Sequence, residues 1–258
     1  MTIARFSLAA ALVALATPAV AQTTDQGGDR WRVRAGAQLV PEYPGADGHD
    51  IQPWIGLSRA KAGREFDFSA ADQSSGFSLI ETDGGFAIGP VINFVGKRSR
   101  SDTNNLLPEV KFTPELGGFT QFEIGSFRLR GEARQGIGGH KGLIGVIAAD
   151  FVARDGDDWL FAIGPRATFS NGKYQRAYFG VPTAVPAAGL TAYRPDGGLQ
   201  ALGGAATAQY SLSPRWGLAG YAKYDRLSGD AKDSPVVRVL GDRDQWSGGL
   251  ALTYTFGG

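Results

Sequence analysis

Few residues in this chain of 258 could carry acid–base or metal chemistry. There are two histidines, His49 and His140, and no cysteine. These counts exclude a disulfide framework, a cysteine nucleophile, a cysteine-ligated metal site and a site with several histidines. His140 could act as a general base, but no serine is fixed beside it by spacing and the chain has no GxSxG motif. A hydrolase is therefore a minor alternative, and we predict no catalytic residue, no cofactor and no metal ion.

Two stretches resemble ligand-binding loops without matching them. Residues 136–142 (GIGGHKG) lack the GxxxxGK[ST] order of a phosphate loop, and Lys141 stands where a GxGxxG motif has its third glycine. The stretch 155–158 (DGDD) lacks the spaced ligands of a calcium loop. Both stretches lie between segments that we predict to be strands, so turns explain them better.

Charged side chains follow a regular pattern instead. In residues 127–134 (FRLRGEAR) they alternate with apolar or small residues, which is the period of a β-strand with two different faces. Similar alternation recurs along the chain and predicts twelve strands: 31–40, 50–58, 65–69, 76–80, 85–95, 115–124, 127–136, 142–154, 158–170, 199–212, 216–227 and 245–256. The segments 65–69 and 76–80 are short and poorly patterned, so ten strands are the alternative.

The composition of the two faces indicates which side of the sheet meets lipid. One face is apolar and carries aromatic residues near the strand ends, as in the girdles of outer-membrane barrels; these residues are Trp31, Trp159, Phe169, Trp216, Tyr224, Trp246, Tyr254 and Phe256. The other face is polar, where a soluble sandwich would have an apolar core. In hydrocarbon every backbone polar group must be paired internally. The pattern therefore predicts an all-β fold, a transmembrane antiparallel up-and-down β-barrel formed by residues 31–258.

The polar face would direct seven basic and five acidic side chains into the lumen: Arg32, Arg34, Glu115, Glu123, Arg128, Arg130, Glu132, Arg134, Asp150, Arg166, Lys223 and Asp225. Buried charges must pair or stay hydrated, and a twelve-stranded lumen is narrow beside the channels of barrels with about sixteen or more strands. We therefore predict an ion-pair network that plugs or severely narrows the barrel. The alternative is a basic lumen wall that passes small anions.

The connections between predicted strands alternate in length, as expected of short periplasmic turns and longer external loops. The longest connection, 171–198, contains three tyrosines, a phenylalanine and three prolines. It could fold inward as a partial plug, stand outward as a recognition surface, or pack as a lid on its neighbours. The sequence leaves these three alternatives open.

The first 21 residues have the features of a signal peptide. Arg5 precedes a short apolar run at 6–16, and Ala19 and Ala21 supply the small residues of a cleavage site. We expect a mature chain from Gln22, with a short periplasmic segment to residue 30, exported to the outer membrane of a Gram-negative cell. Because the signal peptide contains one charged residue, the mature chain has 25 basic and 25 acidic residues. This balance gives no reason to expect a nucleic-acid partner.

Several motifs resemble those of a known family. They include the proline–aromatic–glycine–acid stretch 41–47 (PEYPGAD), 139–145 (GHKGLIG), 178–181 (YFGV), 227–237 (LSGDAKDSPVV) and the final 252–256 (LTYTF). In this order, over residues 31–256, they resemble the MipA/OmpV family, which comprises the MltA-interacting protein and outer membrane protein V.

The resemblance implies an outer-membrane barrel without enzymatic activity. It further implies a scaffold role in the cell envelope, because the namesake is described as joining a murein transglycosylase to a murein synthase. The expected partners are outer-membrane lipid and lipopolysaccharide, the barrel-assembly machinery during insertion, and those two murein enzymes. A narrow diffusion channel or permeability factor is the alternative function. No short motif carries these roles, so they cannot be assigned to individual residues.

Overall fold

A computed structural model describes residues 28–257, which form one curled, twelve-stranded antiparallel sheet. Its strands are β1 (Arg30–Pro41), β2 (His49–Ala60), β3 (Ser75–Gly76), β4 (Ile80–Glu81), β5 (Phe86–Val95), β6 (Thr113–Ile124), β7 (Phe127–Gly136), β8 (Leu143–Asp155), β9 (Trp159–Ser170), β10 (Gly198–Ser211), β11 (Trp216–Leu227) and β12 (Asp244–Phe256). The all-β, twelve-stranded prediction is confirmed. The expected signal peptide, with Ala19 and Ala21, lies outside the described residues.

Ten of the predicted strands are confirmed, with ends that differ by at most two residues. The predicted strand 65–69 is wrong, because these residues have no strand conformation. The predicted strand 76–80 is replaced by the two short strands β3 and β4. In the segment 65–69, Phe66 and Phe68 are buried and alternate with the exposed residues Glu65 and Asp67. The alternation that suggested a strand therefore comes from phenyl rings buried inside the sheet.

The order of the strands leaves one break in the ring. β12 pairs with β1 from Trp31 opposite Phe256 to Leu39 opposite Gly248, so the first and last strands are joined. Among residues 28–257, β2 pairs with β1 alone, and β3 and β4 pair with β5. We call the break between β2 and the edge formed by β3 and β5 the seam.

The seam explains the path of the chain after β2. Because neighbouring strands alternate in direction around the sheet, β2 and β3 run in the same direction on either side of the seam. Residues 61–74 must therefore return from the end where β2 stops to the level where β3 starts. The largely exposed turn 61–64 begins this return, and residues 65–74, which we call the inner segment, continue it within the curl of the sheet.

Alternate side chains of the strands point inward and outward. In β7 the inward Arg128 and Arg130 are 2% and 4% exposed, whereas the outward Phe127 and Leu129 are 66% and 55% exposed. The same alternation holds along β9. This arrangement places polar groups inside the curled sheet and apolar side chains on its outer surface.

The long connections lie together at one end of the sheet and fold into a cap, consisting of residues 42–48, 96–112, 137–142, 171–197 and 228–243. The cap contains the helices α1 (Gly172–Phe179), α2 (Gly229–Asp233) and α3 (Pro235–Leu240). None of the helices within residues 28–257 is long and apolar enough to cross a membrane. The opposite end has short turns at 82–85, 125–126, 156–158 and 212–215.

Candidate functional site

Four charged side chains of β6 and β7 form a continuous chain of ion pairs inside the barrel. Arg130 Nε lies 2.8 Å from Glu132 Oε1, and Glu132 Oε2 lies 2.7 Å from Arg134 Nη1. Arg134 Nε in turn lies 2.9 Å from Glu115 Oε2. All four residues are more than nine-tenths buried. Because an unpaired buried charge costs several kcal/mol, these charges are tolerated by pairing with one another.

His140 lies at the end of this chain, in the turn between β7 and β8. Its Nε2 lies 3.1 Å from Glu115 Oε1, and its Nδ1 accepts a hydrogen bond of 3.1 Å from the backbone N–H of Gly142. Because Nδ1 accepts, the proton of the neutral ring is assigned to Nε2, which faces Glu115. With Nδ1 bonded to the Gly142 backbone and the ring against Tyr174 (4.8 Å between centroids), His140 braces the turn.

A second chain of ion pairs runs across β7, β8 and β9. Arg128 Nη2 lies 2.8 Å from Asp150 Oδ2, and the other oxygen of Asp150 lies 2.8 Å from Arg166 Nη2. Asp150 therefore binds one guanidinium with each of its oxygens. These three residues are at most 3% exposed.

The inner segment extends this second chain past β10 to β11. Arg166 binds both carboxylate oxygens of Asp72, through Nε at 2.9 Å and Nη2 at 3.1 Å. Lys223 of β11 lies 3.7 Å from Asp72 and 2.9 Å from Asp225. Asp72 thus connects β9 to β11, two strands that are not neighbours in the sheet because β10 lies between them.

The wall arginines also hold the aromatic residues and the backbone of the inner segment. The guanidinium of Arg32 lies 4.1 Å from the ring centroid of Phe66, and that of Arg128 lies 4.3 Å from the ring centroid of Phe68. Arg128 also donates to the backbone carbonyl of Phe68 (3.2 Å), and Arg154 donates to that of Phe66 (2.9 Å). Burial beneath cationic groups is favourable for aromatic rings because their faces carry partial negative charge.

Apolar contacts fill the remaining space around the inner segment. Phe68 and Ala70 pack against Leu160 and Ala162 of β9. On the other side of the lumen, Ala71 packs into a cluster that includes Trp54 of β2. The inner segment therefore touches opposite walls and occupies the lower lumen.

Three of the expected lumen charges lie outside the two chains of ion pairs. Arg32 lies near the turn end, where it approaches Asp157 at 3.9 Å and donates to Thr255. The guanidinium of Arg34 stacks on the ring of Trp54 at 4.3 Å. Glu123 is exposed at the rim and accepts a hydrogen bond of 2.8 Å from Gln121.

The cap closes the upper end with an apolar core of its own. Tyr178 and Phe179 of α1 are completely buried, together with Val237 of α3 and Tyr43 from the first loop. Arg98, which is 1% exposed, donates to the Tyr178 carbonyl at 2.9 Å and to the Pro108 carbonyl at 3.0 Å. Burial raises the pKa of the Tyr178 hydroxyl, so this group stays neutral.

A cavity of about 350 Å³ remains between the cap and the inner segment. Tyr43 and Tyr174 line it from the cap, and Asp72 lines it from the inner segment. Its walls include Gln200 of β10 and Lys223 of β11. The lumen is therefore filled at both ends around this cavity, whose lining is both polar and apolar.

The aromatic residues expected to form girdles lie on the outer surface in two belts. Trp31, Trp159, Trp216, Tyr254 and Phe256 lie toward the turn end, where Trp216 contacts Tyr254 at 4.8 Å between ring centroids. The others, Phe169, Tyr224 and Trp246, lie toward the cap, where Tyr224 contacts Trp246 at 4.5 Å.

Comparison with models of protein families identifies the family of this chain. Residues 33–256 match the family described as MltA-interacting protein MipA. The chain belongs to the MipA family. The resemblance inferred from the motifs is thus confirmed over almost the same residues. No curated protein sequence is similar enough to count as a relative of this MipA-family chain.

Several solved structures are similar to this MipA-family chain in part. OmpT, an outer membrane protein of Vibrio cholerae, is 8% identical with a TM-score of 0.39, over 91% of this chain and 99% of that one. A bacterial polysaccharide outer membrane secretin is 11% identical with a TM-score of 0.39, over 91% of this chain and all of that one. The CymD monoaromatic hydrocarbon channel is 9% identical with a TM-score of 0.32, over 90% and 88%.

Sequence reasoning missed two carboxylates that contact the inward charges of this MipA-family chain. Asp72 was unassigned because its segment has no regular structure, and Asp157 was assigned to a turn. Asp157 lies 2.7 Å from Arg30, 3.3 Å from Arg154 and 3.9 Å from Arg32. The excess of two positive charges among the expected lumen residues was the signal that could have revealed them, because buried charges require partners.

Proposed function

We propose that this chain is a non-enzymatic outer-membrane β-barrel that acts as an interaction scaffold in the cell envelope and does not conduct solutes. The observation that carries this proposal is the occupied lumen. The inner segment lies across it, tied by Asp72 to Arg166 and Lys223, and the cap covers its upper end. A barrel filled in this way retains its outer surface and its two ends as interaction surfaces.

Placement in the outer membrane is supported by the distribution of side chains. The outer surface is apolar and bears two aromatic belts, and the buried charges face inward. This is the distribution that a barrel needs in lipid, where interfacial aromatic rings lie at head-group level and outward charges are costly. The proposal includes a cleaved signal peptide at 1–21, exposure to lipopolysaccharide at the cap, and insertion by the barrel-assembly machinery.

A murein transglycosylase and a murein synthase are the proposed partners. The family description, MltA-interacting protein, supports this choice. The binding determinants are expected on the turns facing the periplasm, and Lys61 and Arg64, in the turn after β2, are exposed there. Charge reversal at Lys61 and Arg64 should lower capture of the purified murein enzymes several-fold. The matched control is charge reversal at Lys97 and Lys232 in the cap. Equal capture by both variants would contradict this placement.

Planar-bilayer recording tests whether the lumen is closed. The wild-type protein should give no large, stable conductance steps. Replacing both residues 66–73 and residues 171–197 with glycine–serine stretches of the same lengths removes the inner segment and the main part of the cap and should produce such steps. Heat-modifiable gel mobility identifies the folded barrel, and Asp72→Ala combined with the 171–197 replacement is the milder variant if the double replacement does not fold. Stable, anion-preferring steps from the wild type would favour the narrow diffusion channel instead.

A further inference from the structure

The wall of the barrel is interrupted on one side of the cavity. β3 pairs with β5 at Val91 and Ile92, and beyond that point β5 pairs only with β6 within the described residues. On the other side of the seam, β2 likewise has a single partner, β1. From Asn93 upward, two strand edges therefore face the seam without a ladder between them.

The cavity lies directly behind this interruption. Its lining includes Gln52 from β2 on one side of the seam. On the other side it includes Asn93 and Phe94 from the upper end of β5 and Gly96, the first residue after β5. A cavity lined from both edges of an unpaired seam has access to the side of the barrel.

The seam separates two different chemical environments. Outside it, Ile51 and Phe94 are 74% and 60% exposed, and Phe94 stacks on Phe112 with 6.0 Å between centroids. Inside it, Gln52 and Asn93 are polar and line the cavity. A molecule lying across the seam would meet apolar side chains at one end and amides at the other, which is the environment of an amphiphile.

The charges in the cavity disfavour an anionic head group. Arg134 is paired with two glutamates, and Lys223 is paired with Asp225 and Asp72. Glu42 also lines the cavity and has no ion pair among residues 28–257, so the lining offers no free cation to balance an anionic head. The unpaired strand edges, in contrast, present N–H and C=O groups that require hydrogen-bond partners in hydrocarbon. Hydroxyl groups, which both donate and accept, satisfy this requirement.

We propose that the seam is a lateral binding site for a single-chain amphiphile with an uncharged, polyhydroxylated head group. The head occupies the cavity beside Gln52 and Asn93, and the chain lies along Ile51 and Phe94 on the outer surface. Cavities of about 300 Å³ or more hold small organic ligands. This inference rests on the proposed placement of the barrel in the outer membrane and is independent of the murein partners.

Binding of 1-monooleoylglycerol to the full-length protein in nanodiscs tests the inference. Gly96→Trp should block the site, because a Cβ at Gly96 meets no atom within 4 Å and an indole there would fill the mouth. Gly84→Trp, in a short turn at the other end, is the matched control, since its Cβ would meet only Thr82 Oγ1, at 3.8 Å. We expect about a tenfold loss of affinity for Gly96→Trp and no change for Gly84→Trp. Gln52→Leu should give a smaller loss.

Three results would overturn the inference. These are absence of binding to the folded wild type, equal binding by Gly96→Trp, and equal binding of oleate, which carries an anionic head on the same chain. Folding in the nanodisc is checked by heat-modifiable mobility, so loss of binding is not confused with loss of the barrel. A wild-type protein that binds the lipid but captures no murein enzyme would count against the scaffold proposal alone. A wild-type protein that captures the murein enzymes but does not bind the lipid would count against the seam proposal alone.

Discussion

The two ends of the lumen are closed by different physical means. The cap has helices and an apolar cluster around Tyr178 and Phe179, both fully buried. The inner segment is a single irregular stretch held by guanidinium groups on Asp72, on two phenyl rings and on two backbone carbonyls. Loops long enough to pack on one another can form a small core. A single stretch cannot, so it depends on charged partners from the wall.

This difference predicts different responses to mutation. Apolar packing loses stability in proportion to the atoms removed and the cavity left behind. A buried ion pair loses much more when one partner is removed, because the other charge remains buried without compensation. The inner segment and its wall arginines should therefore be the more sensitive closure.

The largest effect is expected for Arg166→Leu. This change leaves Asp72 and Asp150 buried without their shared guanidinium, and it should lower the free energy of unfolding by about 3–5 kcal/mol. Denaturant unfolding in detergent micelles measures the change. Arg226→Leu is the control, since Arg226 is 61% exposed in its pair with Asp244, and its loss should change the free energy of unfolding little. Equal losses of stability in the two variants would mean that the buried ion pairs contribute no more to stability than an exposed pair.

In the cap, Phe179→Ala should lower the free energy of unfolding by about 3 kcal/mol, because Phe179 is completely buried in the apolar cluster. The loss should be greatest in the cap, since most residues of the cluster around Phe179 belong to the cap and the others lie at the upper ends of the strands. Limited proteolysis should therefore cut residues 171–197 faster in this variant, while the strands stay protected. Phe179→Leu, which keeps most of the packing, is the control. Unchanged proteolysis of the alanine variant would contradict a cap stabilised by its own core.

A smaller effect is expected at the junction of two cap helices. Ser234 Oγ accepts from the backbone N–H of Val236 at 3.0 Å and donates to the carbonyl of Phe179 at 2.7 Å. Ser234→Ala removes both bonds and should cost about 1 kcal/mol. Ser228, at the start of α2, makes no capping bond with its side chain, so Ser228→Ala should cost less. Thermal unfolding of both variants measures the two losses of stability.

The strands could be predicted from sequence because their two faces meet different surroundings. Leu129 and Phe127 face outward and Arg128 and Arg130 face inward, so each strand displays a period of two. The inner segment follows the same period, since Phe66 and Phe68 alternate with charged residues. Local sequence does not distinguish an apolar side chain that faces outward from one that lies under an arginine inside the barrel. The path of the inner segment is set by the directions of β2 and β3, which depend on the pairing of all the strands between them in the sheet.

The cap could be predicted in part. Asn171 accepts from the backbone N–H of Tyr174 at 3.1 Å and begins α1, and Ser234–Pro235 begins α3. Both are recognisable N-terminal helix signals within connections that we assigned only as loops. The arrangement of the helices was beyond reach, because it depends on contacts such as that of Arg98 with Tyr178, which are distant in sequence. The motifs identified the family without specifying these contacts.

The smallest predicted effect concerns Glu42, in the first loop of the cap. Burial raises the pKa of this carboxyl, and the carboxylates of Asp50, Asp102 and Asp47 raise it further. A raised pKa in the folded state means that folding favours the protonated form, so stability is lost as the pH rises through that value. Glu42→Gln should therefore melt at a slightly higher temperature than the wild type at pH 7. The difference should vanish below the ordinary glutamate pKa of about 4.3, where the wild-type carboxyl is protonated in both states. Circular dichroism melts in detergent at pH 7 and below the ordinary glutamate pKa measure the difference in melting temperature between Glu42→Gln and the wild type. An equal difference at both pH values would show that the charge of Glu42 does not destabilise the cap.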